Sequence, residues 1–550
     1  MLENVQRPGR YVGNELNSVH KDWAKAALKF VLAYPDTYEI GMSNLGLQIL
    51  YHILNDQADV LAERCFAPWP DREEQLKVQN EKLKSLESQR PLQEFDVLGF
   101  SLGHELTYTN IVTMLKLGGI PLRSKERGEK DPLVLGGGPC SFNPEPLVDF
   151  FDFFVIGEAE EVLLEITKVL LDSRPATRDS RLNNLAKIPG VYVPGISQKV
   201  TKRYIKSLDP IPYPLNPIVP FIEAIHDRAA IEIMRGCKWG CKFCQAGWTY
   251  LPVREKSAET LLRQADALLK NTGYDELTLI SLSSSDYSAI DTLARTLAKK
   301  YESKKINISL PSLRTNSLTV KLTKEVARVR SGSLTLAPEA GTQRLRDAIG
   351  KNLTEEQIIE GVKAAFAEGI EAIKLYFMIG LPTETDDDLL GLCALADRIY
   401  QLGRTYSRRA RITVNLSTFI PKSHTPFQWE RQIGIAETLD KQRFIKQHLR
   451  TRGIEIRWHQ AEASYLEGIF SRGDRQLSKV IERAWELGAR FDAWQEGFKF
   501  PVWLQAFSDC GIDPDRYLAA KPQDQPLPWD YIETGVTKEA LRRAADKSNI

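Results

Sequence analysis

Residues 229–244 read AAIEIMRGCKWGCKFC: an apolar run, then Cys237, Cys241 and Cys244 within eight positions. The run has the length and composition of a buried strand. The C-x3-C-x2-C spacing that follows puts three thiols on one tight loop at its end. Thiolates are the soft ligands that iron–sulfur clusters require. A cubane of four irons held by three cysteines leaves one iron without a protein ligand, an open and hence reactive position. A closed zinc site wants a fourth Cys or His. No Cys or His lies between 227 and 392 outside the trio, and His226 falls before the strand. The other four cysteines, Cys65, Cys140, Cys393 and Cys510, are scattered and read as small core hydrophobes.

Outward from this loop, strand and helix signals alternate. Strands are expected at 229–236, 276–283, 306–312, 333–339, 372–380 and 412–420. Helical stretches such as SAETLLRQADALLKN (257–271) and TEEQIIEGVKAAFAEG (354–369) separate them. Six βα units in series predict a (β/α)6 partial TIM barrel over 226–425, with chemistry at the carboxyl ends of its strands. Upstream, FVLAY (30–34), FDVLGFS (95–101), PLVLGGG (132–138) and FDFFVIG (151–157) alternate with helical runs. They predict a Rossmann-like domain over 1–175. The stretch DREEQLKVQNEKLKSLES (71–88) reads as an exposed helix. A proline-rich linker, ending in DPIPYPLNPIVP, fills 176–225. From 426 to 550 the chain reads as mostly helical, with an aromatic stripe (Trp485, Phe491, Trp494, Phe498, Trp503, Phe507) expected in a core. The fold class is thus α/β, two domains and a helical region.

Composition excludes several classes. In 550 residues, 26% are charged and the net charge is +1, which gives no electrostatic footprint for duplex nucleic acid. Seven cysteines argue against a disulfide framework. Neither a secretory leader nor an apolar stretch of bilayer length is visible, so the expected location is the cytoplasm.

Arg235-Gly-Cys237-x3-Cys241-x-Phe243-Cys244 resembles the signature of the radical S-adenosylmethionine (SAM) superfamily, which opens a partial barrel with this motif. The resemblance implies a [4Fe-4S] cluster on the three cysteines, SAM chelated at the free iron, Phe243 beside the adenine, and an electron-transfer partner such as flavodoxin or ferredoxin. Ser284, Ser285 and Asp286, after the second barrel strand, stand where the family has Gly-Gly-Glu for the methionine amine. Glu339 stands at the end of the fourth strand, where ribose or methionine is held. Tyr376-Phe-Met-Ile-Gly380-Leu-Pro-Thr-Glu384 is similar to the family's adenine-lining fifth-strand segment. Arg254 either lines this pocket or makes a surface pair.

A Rossmann-like domain before such a barrel resembles the cobalamin-binding class. Asp36-Thr-Tyr38-Glu-Ile-Gly41 matches that class's Asp-x-His-x-x-Gly except that Tyr38 replaces the histidine. Ser101, Gly136 and Gly137 match the strand ends that cradle corrin and nucleotide tail. Either cobalamin binds with no histidine below the cobalt, that face being empty or weakly occupied by Tyr38 or water, or the domain is a scaffold that no longer holds it. Together with Gly157-Glu-Ala-Glu160, Arg472-Gly-Asp-Arg475 and Ala484-Trp-Glu-Leu-Gly, the motifs resemble a B12-binding radical SAM family over essentially the full chain. The expected function is a cobalamin-dependent radical SAM methyltransferase acting on an unactivated carbon or phosphorus. The alternatives are an RNA-modifying radical SAM enzyme without functional cobalamin, for which nucleic acid is the substrate, and a non-catalytic cluster- or RNA-binding protein. No proton donor or acceptor is assigned.

Overall fold

The computed structural model describes residues 2–173, 176–311 and 333–546. Strands β1 (Leu28–Tyr34), β2 (Val60–Phe66), β3 (Val97–Ser101), β4 (Leu133–Gly137), β5 (Phe153–Val155) and β6 (Val191–Tyr192) form one sheet in the order β2-β1-β3-β4-β5-β6. All pairings are parallel except β5 with β6. The order reverses between β1 and β3, so a crevice opens there beyond the strands' carboxyl ends, the place where doubly wound sheets bind ligands.

Two expectations in this domain are corrected. The strand β2 escaped the pattern reading because Glu63 and Arg64 interrupt its apolar run. Both are buried: Arg64 donates to Glu15 at 2.7 Å and to Glu87 at 2.7 Å, and Glu63 accepts from the Ser88 hydroxyl at 2.7 Å. The helix expected over 71–88 spans only Pro70–Val78. Asn80 then turns left-handed (φ 52°), and Leu83, Leu86 and Glu87 run buried across the domain, with Glu87 meeting Arg64.

A short parallel pair, β7 (Val200–Thr201) with a strand near the carboxyl terminus, leads into the second unit. There β8 (Ala229–Glu232) continues into β9 (Met234–Arg235), which folds back antiparallel on β10 (Arg254–Glu255). Strands β8, β11 (Glu276–Ile280) and β12 (Asn307–Ser309) are parallel in the order β12-β11-β8. Strands β13 (Leu334–Glu339), β14 (Ala372–Ile379), β15 (Arg411–Thr418) and β16 (Ile454–Trp458) form a four-stranded parallel sheet. The six expected barrel strands are therefore present, except that Ser312, at the end of the third, lies outside the described residues. The sheet also runs one strand further. β16 sits inside the stretch expected to be helical; with Ile454, Glu455, Ile456, Arg457 and Trp458 all at least partly exposed, it is a polar edge without the apolar run of a central strand. The apolar residues of β14 and β15, Ile373, Leu375, Phe377, Ile412, Val414 and Leu416, pack on the helices; Lys374, Tyr376, Asn415 and Ser417 alternate with them along the strands. The last pairing is β17 (Ile532–Glu533) with β7.

The carboxyl-terminal helices share one core with the amino-terminal sheet: Phe491, Trp503 and Phe507 are buried with Phe100, Tyr108 and Ile111, and Trp485, Trp494 and Phe498 pack against them. In this interface the Asp492 carboxylate accepts from Thr109 (2.6 Å) and Trp503 (2.8 Å). Burial pushes its pKa up to about 6 despite those bonds. A carboxyl whose folded pKa exceeds its unfolded value contributes fully below about pH 4, and that contribution, about 3 kcal/mol, is lost as pH rises through 6. Asparagine keeps the acceptor for Trp503 and carries no charge. Asp492→Asn is accordingly expected to unfold at higher denaturant than wild type at pH 8, by up to about 2 kcal/mol, with the gap closing toward pH 4. A gap that is absent at pH 8 or grows on acidification contradicts this.

Candidate active site

The cysteine loop starts where β9 ends. Gly236 has φ 90°, and a Cβ there would meet the carbonyl oxygens of Tyr250 (2.8 Å) and Pro252 (2.9 Å), so only glycine lets the chain turn into the loop beneath this return segment. Cys237, Cys241 and Cys244 are all half-buried. Among the described residues, the group of metal-type donors lying within 4.8 Å of one another is His104, Glu105 and Glu467, not the cysteines. A closed mononuclear zinc site needs a fourth donor, and no other Cys or His lies between residues 227 and 392. Burial pushes the Cys244 thiol up, the reverse of what a bound metal does to a ligating thiol.

Bonds from its own following helix and from neighbouring barrel segments hold this loop. Lys242 donates its backbone N–H to Ile349, Trp248 its indole N–H to the Cys241 carbonyl, and Gln245 its amide to the Ser423 hydroxyl, at 3.0, 3.0 and 2.9 Å. After β11, Asp286 accepts from the Trp239 indole and from Ser283 and pairs with Lys238 at 3.1 Å. Burial works against this carboxylate, but those donors outweigh it and hold its pKa below the usual range. Asp286 thus fastens the residues between the first two cysteines. Asp286→Ala is expected to speed loss of iron to a chelator several-fold without unfolding the protein; unchanged loss contradicts the role.

The remaining expected residues divide. Phe243 and Met378 pack against Ala340, Ile349, Leu381 and Phe419, an apolar wall beside the loop. Glu339 ends β13 at a register shift, with φ 69°, and pairs with Lys351 at 3.2 Å. Burial raises its carboxyl pKa more than Lys351 lowers it, and both groups act electrostatically on Cys244. Such left-handed backbone at a non-glycine residue stores about 1–3 kcal/mol and collects at functional sites. The Gly380 N–H donates to Glu384 at 3.0 Å. Ser284 turns inward: it is fully buried, and its hydroxyl bonds Ser281 and the Leu279 carbonyl, so it does not face the loop as expected. Ser285, exposed differently in the same turn, is half-buried.

In the amino-terminal domain a cleft of about 240 Å3 opens at the β1/β3 reversal, lined by Tyr34, Asp36, Ser101, Gly103, His104 and Ala493 among others. Ser101 is where the sequence suggested. Asp36 accepts from Trp494 at 2.8 Å, so one residue of the aromatic stripe reaches this cleft. Tyr38 does not face it. Its ring is buried, and its hydroxyl donates to Glu15 at 2.8 Å because that carboxylate, held by Arg64, needs the donor. Tyr38 is therefore no occupant of a cobalt face. A Cβ on Gly41 would strike Phe66 at 2.2 Å and one on Gly136 would meet Phe154 at 2.7 Å, so both glycines serve internal packing. Beside Gly137 there is open space.

Sequence motifs missed the charge group that joins the cleft to the barrel. Lys422, on the loop after β15, donates to Glu105 (2.7 Å), Glu467 (2.9 Å) and Ser471 (2.7 Å). His104 Nε2 lies 3.5 Å from Glu467 and its Nδ1 accepts from Leu106 N–H. Burial opposes the imidazolium, but Glu467 and Glu105 outweigh it and raise the His104 pKa. Arg254 is neither pocket-lining nor superficial: it is buried in an ion pair with Glu158 at 2.7 Å.

A three-thiol loop at the carboxyl ends of parallel barrel strands, preceded by a doubly wound domain, is an arrangement suited to a metallocluster enzyme of the barrel class. Residues 231–396 match the model of the radical SAM superfamily, and residues 46–194 that of the amino-terminal region of radical SAM proteins. The chain belongs to the radical SAM superfamily and is an enzyme. An uncharacterised protein of Methanocaldococcus jannaschii is 28% identical over 82% of this chain and 90% of its own. An uncharacterised methyltransferase of Pyrococcus horikoshii is 24% identical over 50% of this chain and 60% of its own. Among solved structures, the radical SAM methyltransferase TsrM of Kitasatospora setae, with cobalamin and a [4Fe-4S] cluster bound, aligns at TM-score 0.50 and 15% identity over 74% of this chain and 75% of that one, a likeness of fold. Among the described residues no helix is long and apolar enough to cross a membrane.

Proposed function

We propose that this enzyme holds a [4Fe-4S] cluster on Cys237, Cys241 and Cys244, binds SAM at the iron they leave open, and is a cobalamin-dependent methyltransferase. The carrying observation is the loop itself: three half-buried thiols at the barrel's strand ends, with no other Cys or His between residues 227 and 392. When bound, the cluster and SAM supply a 5′-deoxyadenosyl radical, and the corrinoid a transferable methyl group. Around them, Phe243 and Met378 offer an apolar face for adenine, while Gly380, at the end of β14, lets the backbone pack on Ile433, where a Cβ would fall 2.6 Å away. Glu339, buried with Lys351, offers a carboxylate to the ribose or amine, and Ser285 stands at the turn that Asp286 ties to the loop. In the amino-terminal domain the open side of Gly137 and the Ser101 cleft suit part of a corrinoid. At about 240 Å3 the cleft takes one end of that ligand, being smaller than the roughly 300–1,000 Å3 of a drug-sized pocket. With Tyr38 turned into the core, the loop after β1 offers the cobalt no side chain from the position of the family's histidine. A one-electron donor such as flavodoxin or ferredoxin completes the system.

Support for the methyltransferase reading comes from the Pyrococcus relative and the fold shared with TsrM. The test is anaerobic reconstitution with iron and sulfide, reduction, and SAM, on protein produced with and without cobalamin. Release of 5′-deoxyadenosine or S-adenosylhomocysteine, together with a co-purifying corrinoid absorbance, is expected. Protein that cleaves SAM but never retains a corrinoid moves the reading to RNA modification without cobalamin; protein that does neither overturns it.

A further inference from the structure

The strand that leads into the first cysteine is held from the other domain. Arg235, two residues before Cys237, pairs with Glu158 at 3.2 Å, Glu160 at 2.9 Å and Glu232 at 2.7 Å. Directly across the two-stranded ribbon, in register with it, stands Arg254. Its guanidinium makes both bonds of a fork to Glu158, at 2.8 and 2.7 Å, and also donates to the Pro252 carbonyl. Two like charges thus face each other across adjacent strands, an arrangement that repels unless something lies between them. That something is the Glu158 carboxylate, which also accepts the Ile205 N–H at 2.7 Å. Glu158, Glu160 and Arg254 are all buried. Glu158 is aimed by Gly157, whose φ is 104° and where a Cβ would fall 2.1 Å from the Arg203 carbonyl oxygen. The connecting segment after β7 also reaches the return segment over Gly236: Lys202 donates to the carbonyls of Thr249 (2.9 Å) and Leu251 (2.7 Å).

We infer that the Gly157-Glu-Ala-Glu160 turn of the amino-terminal domain is a positioning element for the cluster: through Arg235 and Arg254 it sets the geometry of the loop that carries Cys237. The inference rests on the cluster reading above. It gives the amino-terminal domain a role in the barrel's chemistry beyond holding a ligand, since the strand β5 that precedes the turn also borders β4 and its open glycine.

Glu158→Gln keeps the shape but removes the charge between the two arginines, leaving buried Arg254 without its counter-ion and Arg235 with two of its three carboxylates. Glu160→Gln removes one of three carboxylates from Arg235 and leaves the Arg254 fork intact. Asp291→Asn, at an exposed pair with Arg295 on a barrel helix, is the control. The readouts are iron per chain after reconstitution, the rate of iron loss to a chelator, and the EPR spectrum of the reduced cluster with and without SAM, in preparations matched by circular dichroism. Glu158→Gln is expected to lose iron at least threefold faster and to show an altered EPR response to SAM. Glu160→Gln is expected to shift in the same direction by less, and Asp291→Asn to match wild type. If Glu158→Gln does not fold, Glu160→Gln decides. Wild-type iron retention and EPR spectra in the folded variants overturn the positioning role and leave the cluster reading standing. A wild-type protein that holds no four-iron cluster overturns both.

Discussion

Replacing any one of Cys237, Cys241 and Cys244 by alanine is expected to drop reconstituted iron from about four per chain to less than one and SAM cleavage by at least about 1,000-fold. The argument is one of donor count. The loop supplies three thiols, and the described surroundings supply no replacement: the nearest acidic groups, Glu339 and Asp286, are committed to Lys351 and to Lys238 with Trp239. A cubane with two cysteine ligands has two open irons and is lost to solvent. The contrasting result is equally specific. Cys65 and Cys393 are buried, with their thiols pushed up by burial to points where no thiolate forms at neutral pH, and Cys140 and Cys510 are likewise raised. Alanine at these four positions is expected to leave iron content unchanged. A loss of iron in Cys65→Ala or Cys140→Ala would mean that the amino-terminal domain carries a cluster of its own.

The second large effect is expected at Lys422. Its ammonium neutralises Glu105 and Glu467 where the cleft wall, the barrel loop and the helix 461–471 meet. Burial opposes this charge, yet the two carboxylates outweigh it and raise the Lys422 pKa, while Lys422 and His104 hold Glu467 well below the usual carboxylate range. Lys422→Met fills the space but strands two carboxylates in a buried setting, at a cost of about 3–5 kcal/mol. A carboxylate whose folded pKa is depressed contributes stability above its unfolded pKa and loses it as pH falls through the folded value. The wild type therefore keeps this network from neutrality down to strongly acidic conditions, and the difference between wild type and Lys422→Met should shrink as Glu467 in the variant takes up a proton below neutrality. Adding Glu467→Gln to Lys422→Met should recover part of the loss, a coupling that a double-mutant cycle in urea reads directly. Additive losses would contradict the network.

The parts of the site that were legible in the sequence are those whose chemistry is local. Three cysteines within eight residues announce a cluster wherever they fold, and strand-ending motifs such as Ala-Pro-Glu339 and Ile-Gly380-Leu-Pro-Thr-Glu384 sit where barrel periodicity puts them. What stayed hidden depends on pairing between distant residues. Strand β2 looked broken because Glu63 and Arg64 are charged, and only the fold reveals Glu15 and Glu87 beside Arg64. The helix expected through 88 failed for the same reason, since Leu83 and Leu86 fit a helical face equally well until Leu83 bonds the Leu117 carbonyl and Leu86 that of Arg64 on β2. Tyr38 occupies the histidine's place in the motif and yet serves Glu15. Arg254, ambiguous as a lone residue, is explained by a glutamate 96 positions away, and Lys422 by one 317 positions away.

The central claim is that three cysteines leave one iron for a sulfonium cosubstrate. It is tested most directly by electron–nuclear double resonance on the anaerobically reduced protein with SAM carrying 17O in its carboxylate and 15N in its amino group. Hyperfine couplings from both nuclei to the cluster are predicted. A four-iron protein whose cluster shows neither coupling, with SAM present in excess, would contradict the account.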